Sequence, residues 1–450
     1  MMKKRTLLWL ALLAAFALFV AACGDDAPVT TTPDTTPDTT PEESSMAEEE
    51  PSMAEEEPSM AEEEPSMAEE EPSMTEEEPS MTEEEPSMTE VSMTPGEGSS
   101  ANMGRADWTT GYFQAQVFKQ MLEELGYDVS EPSELELGPS LAYLGMSQGD
   151  FDFWVNSWYP GHVSWWSSEL PDGSTVGDHL TIVGNQMTAG GLQGYLITKS
   201  FADEYGVTHL DQLNDDPEIL AAFDADDQSP GNGVADIYGC TESWTCDNII
   251  DSQIAFSDWT NIAQVKAGYD AMFAEATTKA DAGEPMVIYT WTPSAYITQL
   301  RPSDNVVWLA VEDVVDDSNP TGIEGGEGHD QTPGQANIGP DSCPAAANAD
   351  NCQLGWVAAD IQVTANTDWL NANPYAAELF CRATLSVIDV SLANVDQSNA
   401  GDDATEDFIA GLAADWIADN RDQVDGWLEA ARTPPMEPSC PDTVIPLALQ

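Results

Sequence analysis

The chain runs to 450 residues and carries 82 Asp and Glu against 12 Lys and Arg, a formal net charge of −70. Of these acids 26 precede residue 105 and 56 follow it, the latter beside 9 basic residues, so the acidity belongs to the folded part as well. Such a field repels nucleic acid and anionic lipid headgroups and excludes both as electrostatic partners. It suits salty surroundings, where ions screen the self-repulsion.

Lys3, Lys4 and Arg5 form a positive start, followed by an unbroken apolar run of 16 residues from Leu7 to Ala22. The run is short for a membrane span and has the length of a signal-peptide core. It ends in Val20-Ala-Ala-Cys23-Gly24, which resembles the lipobox of bacterial lipoproteins. That resemblance implies removal of residues 1–22 and a diacylglycerol on Cys23. The chain is then expected on the periplasmic or extracellular face of a bacterial cell envelope, held to the membrane by lipid.

Residues 23–104 are expected to be an unfolded tether. Pro51, Pro58, Pro65, Pro72, Pro79 and Pro86 recur every seven residues within a Pro-Ser-Met-(Ala/Thr)-Glu-Glu-Glu unit. A heptad suggests a coiled coil, but each unit offers one apolar methionine and a helix-breaking proline. Burial cannot offset chain entropy here, and charge repulsion extends the segment.

From residue 105 onward the length suffices for two lobes. Phe113 to Leu125 repeats apolar residues at helical spacing, with Val117, Met121 and Leu122 on one side, and stops at Gly126 as a helix C-cap would. Tyr127 to Val129 starts a short strand, Leu141 to Met146 is helical, and Phe151 to Val155 reads as a buried strand. The segment around Trp158 is thereby placed just past a strand's C-terminal end, where open α/β sheets hold ligands. Gly194 to Ile197 is a strand, Phe201 to Tyr205 and Leu210 to Leu213 are short helices, and Ala235 to Tyr238 leads into a cysteine loop.

Asn248 to Ala263 and Val265 to Ala276 carry helical periodicity, whereas Pro285 to Thr290 and Val306 to Val311 are buried strands. Glu312 to about Gly355 is rich in Gly, Pro, Asp and Asn and reads as a long loop. Structure resumes with a strand at Ile361 to Thr364 and a helix from Asp368 to Phe380. Amphipathic helices follow between Phe408 and Ala430, and their Trp416 and Trp427 are assigned to the core. Strands alternating with helices define an α/β protein, with mostly parallel sheets expected.

Besides Cys23 there are six cysteines, an even number that in an exported chain reads as disulfides. Cys240–Cys246 and Cys343–Cys352 are the local pairs and Cys381–Cys440 the remainder, one of fifteen possible connectivities. A metal site has little to stand on, since the histidines at 162, 179, 209 and 329 are scattered and no Cys-x-x-Cys occurs.

Three segments stand apart: Asn156-Ser-Trp-Tyr-Pro-Gly-His162, Gly239-Cys-Thr-Glu-Ser-Trp-Thr-Cys246 and Tyr289-Thr-Trp-Thr-Pro293. Each sets one tryptophan, Trp158, Trp244 or Trp291, among polar and turn-forming neighbours rather than in an apolar run. Three such indoles can box a cation that has no hydrogen to donate, such as a quaternary ammonium.

With Phe118-Lys-Gln-Met-Leu-Glu-Glu-Leu-Gly-Tyr127, Gln193-Gly-Tyr-Leu-Ile197 and the Cys240–Cys246 loop, these motifs resemble the periplasmic glycine betaine-binding proteins of ABC importers, from about Trp108 to Trp427. The resemblance implies a two-lobed periplasmic binding protein fold, type II-like, with ligand in the cleft. Lobe 1 would be 105–192 plus 355–450, lobe 2 would be 193–314, and 315–354 a loop insertion or crossover. It implies that Trp158, Trp244 and Trp291 box a trimethylammonium head. His162 and the backbone N–H groups of Thr245 and Cys246 would hold the carboxylate. The expected partners are an ABC permease with its ATPase, and no cofactor, metal or catalytic group is called for.

The residues argue in the same direction. A zwitterion of zero net charge needs little opposing charge, and backbone donors at a helix start suit a carboxylate. The chain has no phosphate-binding Gly-x-x-x-x-Gly-Lys loop, so an ATPase is not indicated. Choline, carnitine, proline betaine and dimethylsulfoniopropionate remain alternative ligands, and a sensor or adhesin an alternative role.

Overall fold

In the computed structural model the described residues are 91–311, 335–339, 341–347, 352–435, 440, 442–446 and 449. The signal segment, Cys23, the proline repeat and most of 312–355 fall outside them. Ordered structure starts earlier than expected. Ser100–Ala101 (β1) and Met103–Ala106 (β2) are strands, so the folded chain begins before residue 105. One cause is Arg105, buried with its guanidinium 2.8 Å from Glu136, 2.6 Å from Glu406 and 3.8 Å above the Tyr112 ring. Two carboxylates neutralise a cation that burial would otherwise penalise, and one of them lies 301 residues away.

Thr110–Glu124 (α1) buries Phe113, Val117, Met121 and Leu122 as its spacing requires. It ends at Gly126, whose φ of +93° only glycine adopts without strain. Asp128–Val129 (β3) pairs in parallel with β1, and Glu136–Leu137 (β4) with β2. Pro139–Gln148 (α2) has proline in its first turn and Gly149 in the left-handed conformation at its end. Phe153–Tyr159 (β5) is buried throughout. Trp158 therefore lies within the strand, not past it. Asn156 and Ser157 do not interrupt the strand because each finds a buried partner, Ser157 Oγ lying 2.7 Å from Thr364 Oγ1.

Leu180–Thr198 (β6) is 19 residues long and extends far beyond the expected Gly194 to Ile197. Its glycines conceal the run in the sequence. Short helices Lys199–Tyr205 (α3), Asp211–Asp215 (α4) and Pro217–Phe223 (α5) precede Ala235–Tyr238 (β7) and Thr245–Phe256 (α6). The two helices expected between 248 and 276 are corrected. The first ends at Phe256, Ile262–Val265 (β8) is a strand, and Tyr269–Ala282 (α7) starts only after it. Pairing with β7 along all four residues of β8 overrides a periodicity too short to discriminate.

Val287–Thr292 (β9), Val306–Leu309 (β10) and Ala359–Asn366 (β13) are strands near the expected positions. Within the expected loop, Gln335–Ile338 (β11) and Cys352–Val357 (β12) pair antiparallel, so its described part is not irregular chain. The helix expected over 368–380 is two helices, Thr367–Ala372 (α8) and Pro374–Arg382 (α9), because Pro374 cannot continue the first. Val387–Ala400 (α10) was not expected. Glu406–Asp419 (α11) and Arg421–Arg432 (α12) carry Trp416 and Trp427, which stack on each other at 6.4 Å and pack on the core.

Nine strands form one sheet in the order β4-β2-β5-β13-β6-β9-β7-β8, with β10 also on β6. The expectation of mostly parallel pairing is corrected. β4, β2 and β5 form one parallel wing and β9, β7 and β8 another, but β13 and β6 enter antiparallel between them. β6 changes partner along its length. Leu180 to Gly191 pairs with β13, and Leu192 to Ile197 with β9. β6 runs antiparallel to both of these neighbours.

Candidate functional site

The candidate side chains stand at corners where strands end. Trp158 is the penultimate residue of β5, and Trp291 stands one residue before the end of β9. Beyond each the chain passes a cis peptide, Tyr159–Pro160 and Thr292–Pro293. Trp244 is the extended N-cap residue of α6. The fold brings all six expected ligand residues, Trp158, Trp244, Trp291, His162, Thr245 and Cys246, into the lining of one cavity.

Trp244 meets Trp291 edge to face, with centroids 5.6 Å apart and planes at 82°. A fourth indole, Trp108, meets Trp244 the same way at 5.5 Å and 71°. Edge-to-face contacts are a favourable aromatic arrangement and fix these indoles against one another. Trp158 and Trp108 share an anchor, since both Nε1–H groups donate to Asn156 Oδ1, at 2.8 and 3.0 Å. Gly191 leaves room for Trp158, because a Cβ there would stand 2.7 Å from the indole ring. Trp291 Nε1 is buried without a hydrogen-bond partner among the described residues.

His162 is buried and stacks on Trp154 at 5.7 Å. The backbone N–H of Trp158 lies 3.2 Å from His162 Nδ1, and the Tyr143 hydroxyl 2.9 Å. A backbone N–H can only donate, so Nδ1 is the acceptor and the ring's proton sits on Nε2. Burial lowers the imidazole pKa to about 3 and keeps the ring neutral. The histidine is thus a neutral N–H donor.

Thr245 and Cys246 are the first two residues of α6, where helical N–H groups have no partner within the helix. Cys240 and Cys246 are at disulfide distance, Cα atoms 6.0 Å apart, as are Cys343 with Cys352 at 6.1 Å and Cys381 with Cys440 at 5.1 Å. Asp247 pairs with Lys266 at 2.7 Å and accepts from Gln264 at 3.0 Å. Burial raises its pKa while the lysine opposes the shift. Among the described residues lining the cavity there is no Asp, Glu, Lys or Arg.

Sequence reasoning missed Trp108, Tyr289 and Gln193, which also line the cavity. Trp108 sits between Asp107 and Thr109 ahead of a helix, the same isolated setting that singled out the other three indoles. Tyr289 and Gln193 carried no such signal. The Tyr289 hydroxyl donates to Gln193 Oε1 at 2.7 Å, a pairing created by the β6–β9 ladder.

Two α/β halves joined through crossing strands, with an aromatic cavity at their strand ends, define a two-lobed substrate-binding protein. Solved structures share this fold. A choline-binding protein of an ABC transporter, in complex with choline, has a TM-score of 0.52 at 15% identity, covering 74% of this chain and 92% of that one. A glycine betaine, L-proline ABC transporter binding protein from Borrelia burgdorferi has 0.52 at 13%, covering 74% and 98%. The family model described as the substrate binding domain of ABC-type glycine betaine transport systems matches residues 100–419, and the chain belongs to that family. The Escherichia coli (strain K12) glycine betaine/proline betaine-binding periplasmic protein is 31% identical over 338 residues, 75% of this chain and 91% of that protein. The glycine betaine-binding periplasmic protein OusX of Dickeya dadantii (strain 3937) is 30% identical over 341 residues, again 75% and 91%. Membership places the chain among transport receptors rather than enzymes.

Proposed function

We propose that the protein is the extracytoplasmic receptor of an ABC importer and captures glycine betaine for osmoprotectant uptake. The observation that carries this reading is a cavity whose described lining residues include no charged side chain and which joins indoles to neutral N–H donors. The trimethylammonium head sits among Trp158, Trp244 and Trp291, each cation–π contact contributing about 0.5–2 kcal/mol. The carboxylate lies toward His162 Nε2–H and the backbone N–H groups of Thr245 and Cys246, at the positive end of α6. A cationic clamp would hold carboxylates of many kinds. Neutral donors beside an aromatic box select a zwitterion.

Lobe 1 comprises 105–192 and 355–450, extended backward to include β1 and β2, and lobe 2 comprises 193–314. The partner change of β6 between Gly191 and Leu192 supports that boundary. Lipid on Cys23 and the acidic repeat would hold the receptor at, and away from, the membrane. Among the described residues no helix is long and apolar enough to cross one. The three cysteine pairs form disulfides in the oxidising envelope.

Calorimetric titration of the exported chain, with Cys23→Ser to omit the lipid, tests the reading. Glycine betaine is expected to bind tightly and glycine not at all, with choline weakened by its missing carboxylate. Heat from glycine equal to that from betaine would remove the aromatic box from the site.

A further inference from the structure

The cavity is bordered by contacts between the lobes as well as by its own walls. Trp244 Nε1 of lobe 2 donates to Asp107 Oδ1 of lobe 1 at 2.7 Å. One residue along, Trp165 Nε1 of lobe 1 donates to Thr245 Oγ1 of lobe 2 at 2.9 Å. The same corner is approached by backbone. A Cβ on Gly138 of lobe 1 would stand 3.0 Å from the Ser243 carbonyl oxygen and 3.4 Å from Asp107 Oδ2. Beyond the Trp108–Trp244 pair lies a second, open chamber, lined in part by Asp107, Tyr112 and Tyr296. Asp107, Trp108 and Trp244 thus form the partition between that chamber and the cavity.

We propose that Asp107 and Trp165 are positioning residues that latch the lobes shut on Trp244 and Thr245, and so set how long ligand is held. The inference rests on the two-lobed receptor reading above. Neither residue lines the cavity, so neither touches ligand. Each acts through a neighbour that does. Asp107 holds the indole of Trp244 at one edge, and Trp165 holds the first residue of α6. Both bonds join lobes that must separate for ligand to enter or leave, so they exist only in the closed state. A contact made only there slows dissociation and leaves association unchanged. The acceptor at Asp107 is a carboxylate, which makes its bond the stronger one.

The test compares Asp107→Ala, Trp165→Phe and Asp107→Asn in the full exported chain. Asp107→Ala removes the acceptor, Trp165→Phe keeps a ring but removes the donor, and Asp107→Asn keeps an acceptor oxygen. Stopped-flow binding of glycine betaine is read with the distance between spin labels at Gln148→Cys on lobe 1 and Glu275→Cys on lobe 2, both exposed positions. The expected result is dissociation faster by about tenfold in Asp107→Ala and by a few-fold in Trp165→Phe. Association stays within about twofold, the label distances shift outward, and Asp107→Asn falls between wild type and Asp107→Ala. Unchanged dissociation and distances in both loss variants, or Asp107→Asn as damaged as Asp107→Ala, would overturn the latch. A folded wild type that binds no betaine sinks the proposed ligand instead. The label distances then decide alone, an outward shift in Asp107→Ala supporting the latch and an unchanged distribution refuting it.

Discussion

The hydroxyl of Tyr143 lies 2.9 Å from His162 Nδ1, so a residue behind the cavity wall helps decide where the imidazole proton points. Removing that hydroxyl with Tyr143→Phe leaves the Trp158 N–H as the remaining partner of Nδ1. Glycine betaine affinity is expected to fall by about 0.5–1.5 kcal/mol. Choline, with no carboxylate for His162 to meet, should be little affected. Parallel titrations of both ligands check this, and equal losses would show a general distortion of the site.

The pH dependence follows from His162 as well. Its folded pKa of about 3 lies below the unfolded value of about 6.5. Above pH 6.5 the ring is neutral in both states. Between 6.5 and 3 the unfolded chain takes up the proton first, so this residue's contribution to stability falls as pH falls, by about 1.4 kcal/mol per unit. Denaturant unfolding at pH 7, 6 and 5 should show a steeper decline in wild type than in His162→Gln. Betaine affinity, by contrast, should stay flat over the same range, because the bound imidazole does not titrate there.

Trp244→Ala is expected to weaken a trimethylammonium ligand by at least about 1–2 kcal/mol. Trp416→Ala, which removes an indole packed on Phe113 and Trp427, should lower thermal stability and leave affinity unchanged in the folded fraction. Calorimetry paired with melting curves separates the two.

Gly191→Ala would place a methyl 2.7 Å from the Trp158 ring and 2.8 Å from Ala359 Cβ. Relief requires the indole or the β6–β13 ladder to shift, at a cost of about 1–3 kcal/mol. The expected outcome is a lower melting temperature together with loss of betaine affinity. Unchanged affinity would mean that Trp158 does not need its present position.

Two cysteine pairs should respond in opposite ways to double serine replacement. Cys240 and Cys246 are 6 residues apart and Cys381 and Cys440 are 59 apart. Chain-entropy arithmetic assigns them about 2 and about 4 kcal/mol. Losing the short link should cost the smaller stability but the larger affinity, since it braces the donors at the start of α6. Melting curves and titrations of the two variants give the comparison.

Local features of the chain determined the α/β class, most helix positions and three of the cavity's indoles. Gly126 and Gly149 end helices by a preference for left-handed backbone that needs no partner. Trp158, Trp244 and Trp291 were visible because each stands among polar and turn-forming neighbours in a motif that resembles the betaine-binding family. Only the tertiary structure decided what depends on pairing across long separations. β8 is a strand because β7 lies beside it, and β6 is long because β13 and β9 take it up in turn. Trp108 enters the cavity through an anchor at Asn156, and Arg105 is buried against Glu406. The proton of His162 is set by Tyr143 and by the backbone of Trp158. Periodicity reports which face of an element is apolar. It carries no information about which distant residue will meet that face, and the geometry of this cavity consists largely of such meetings.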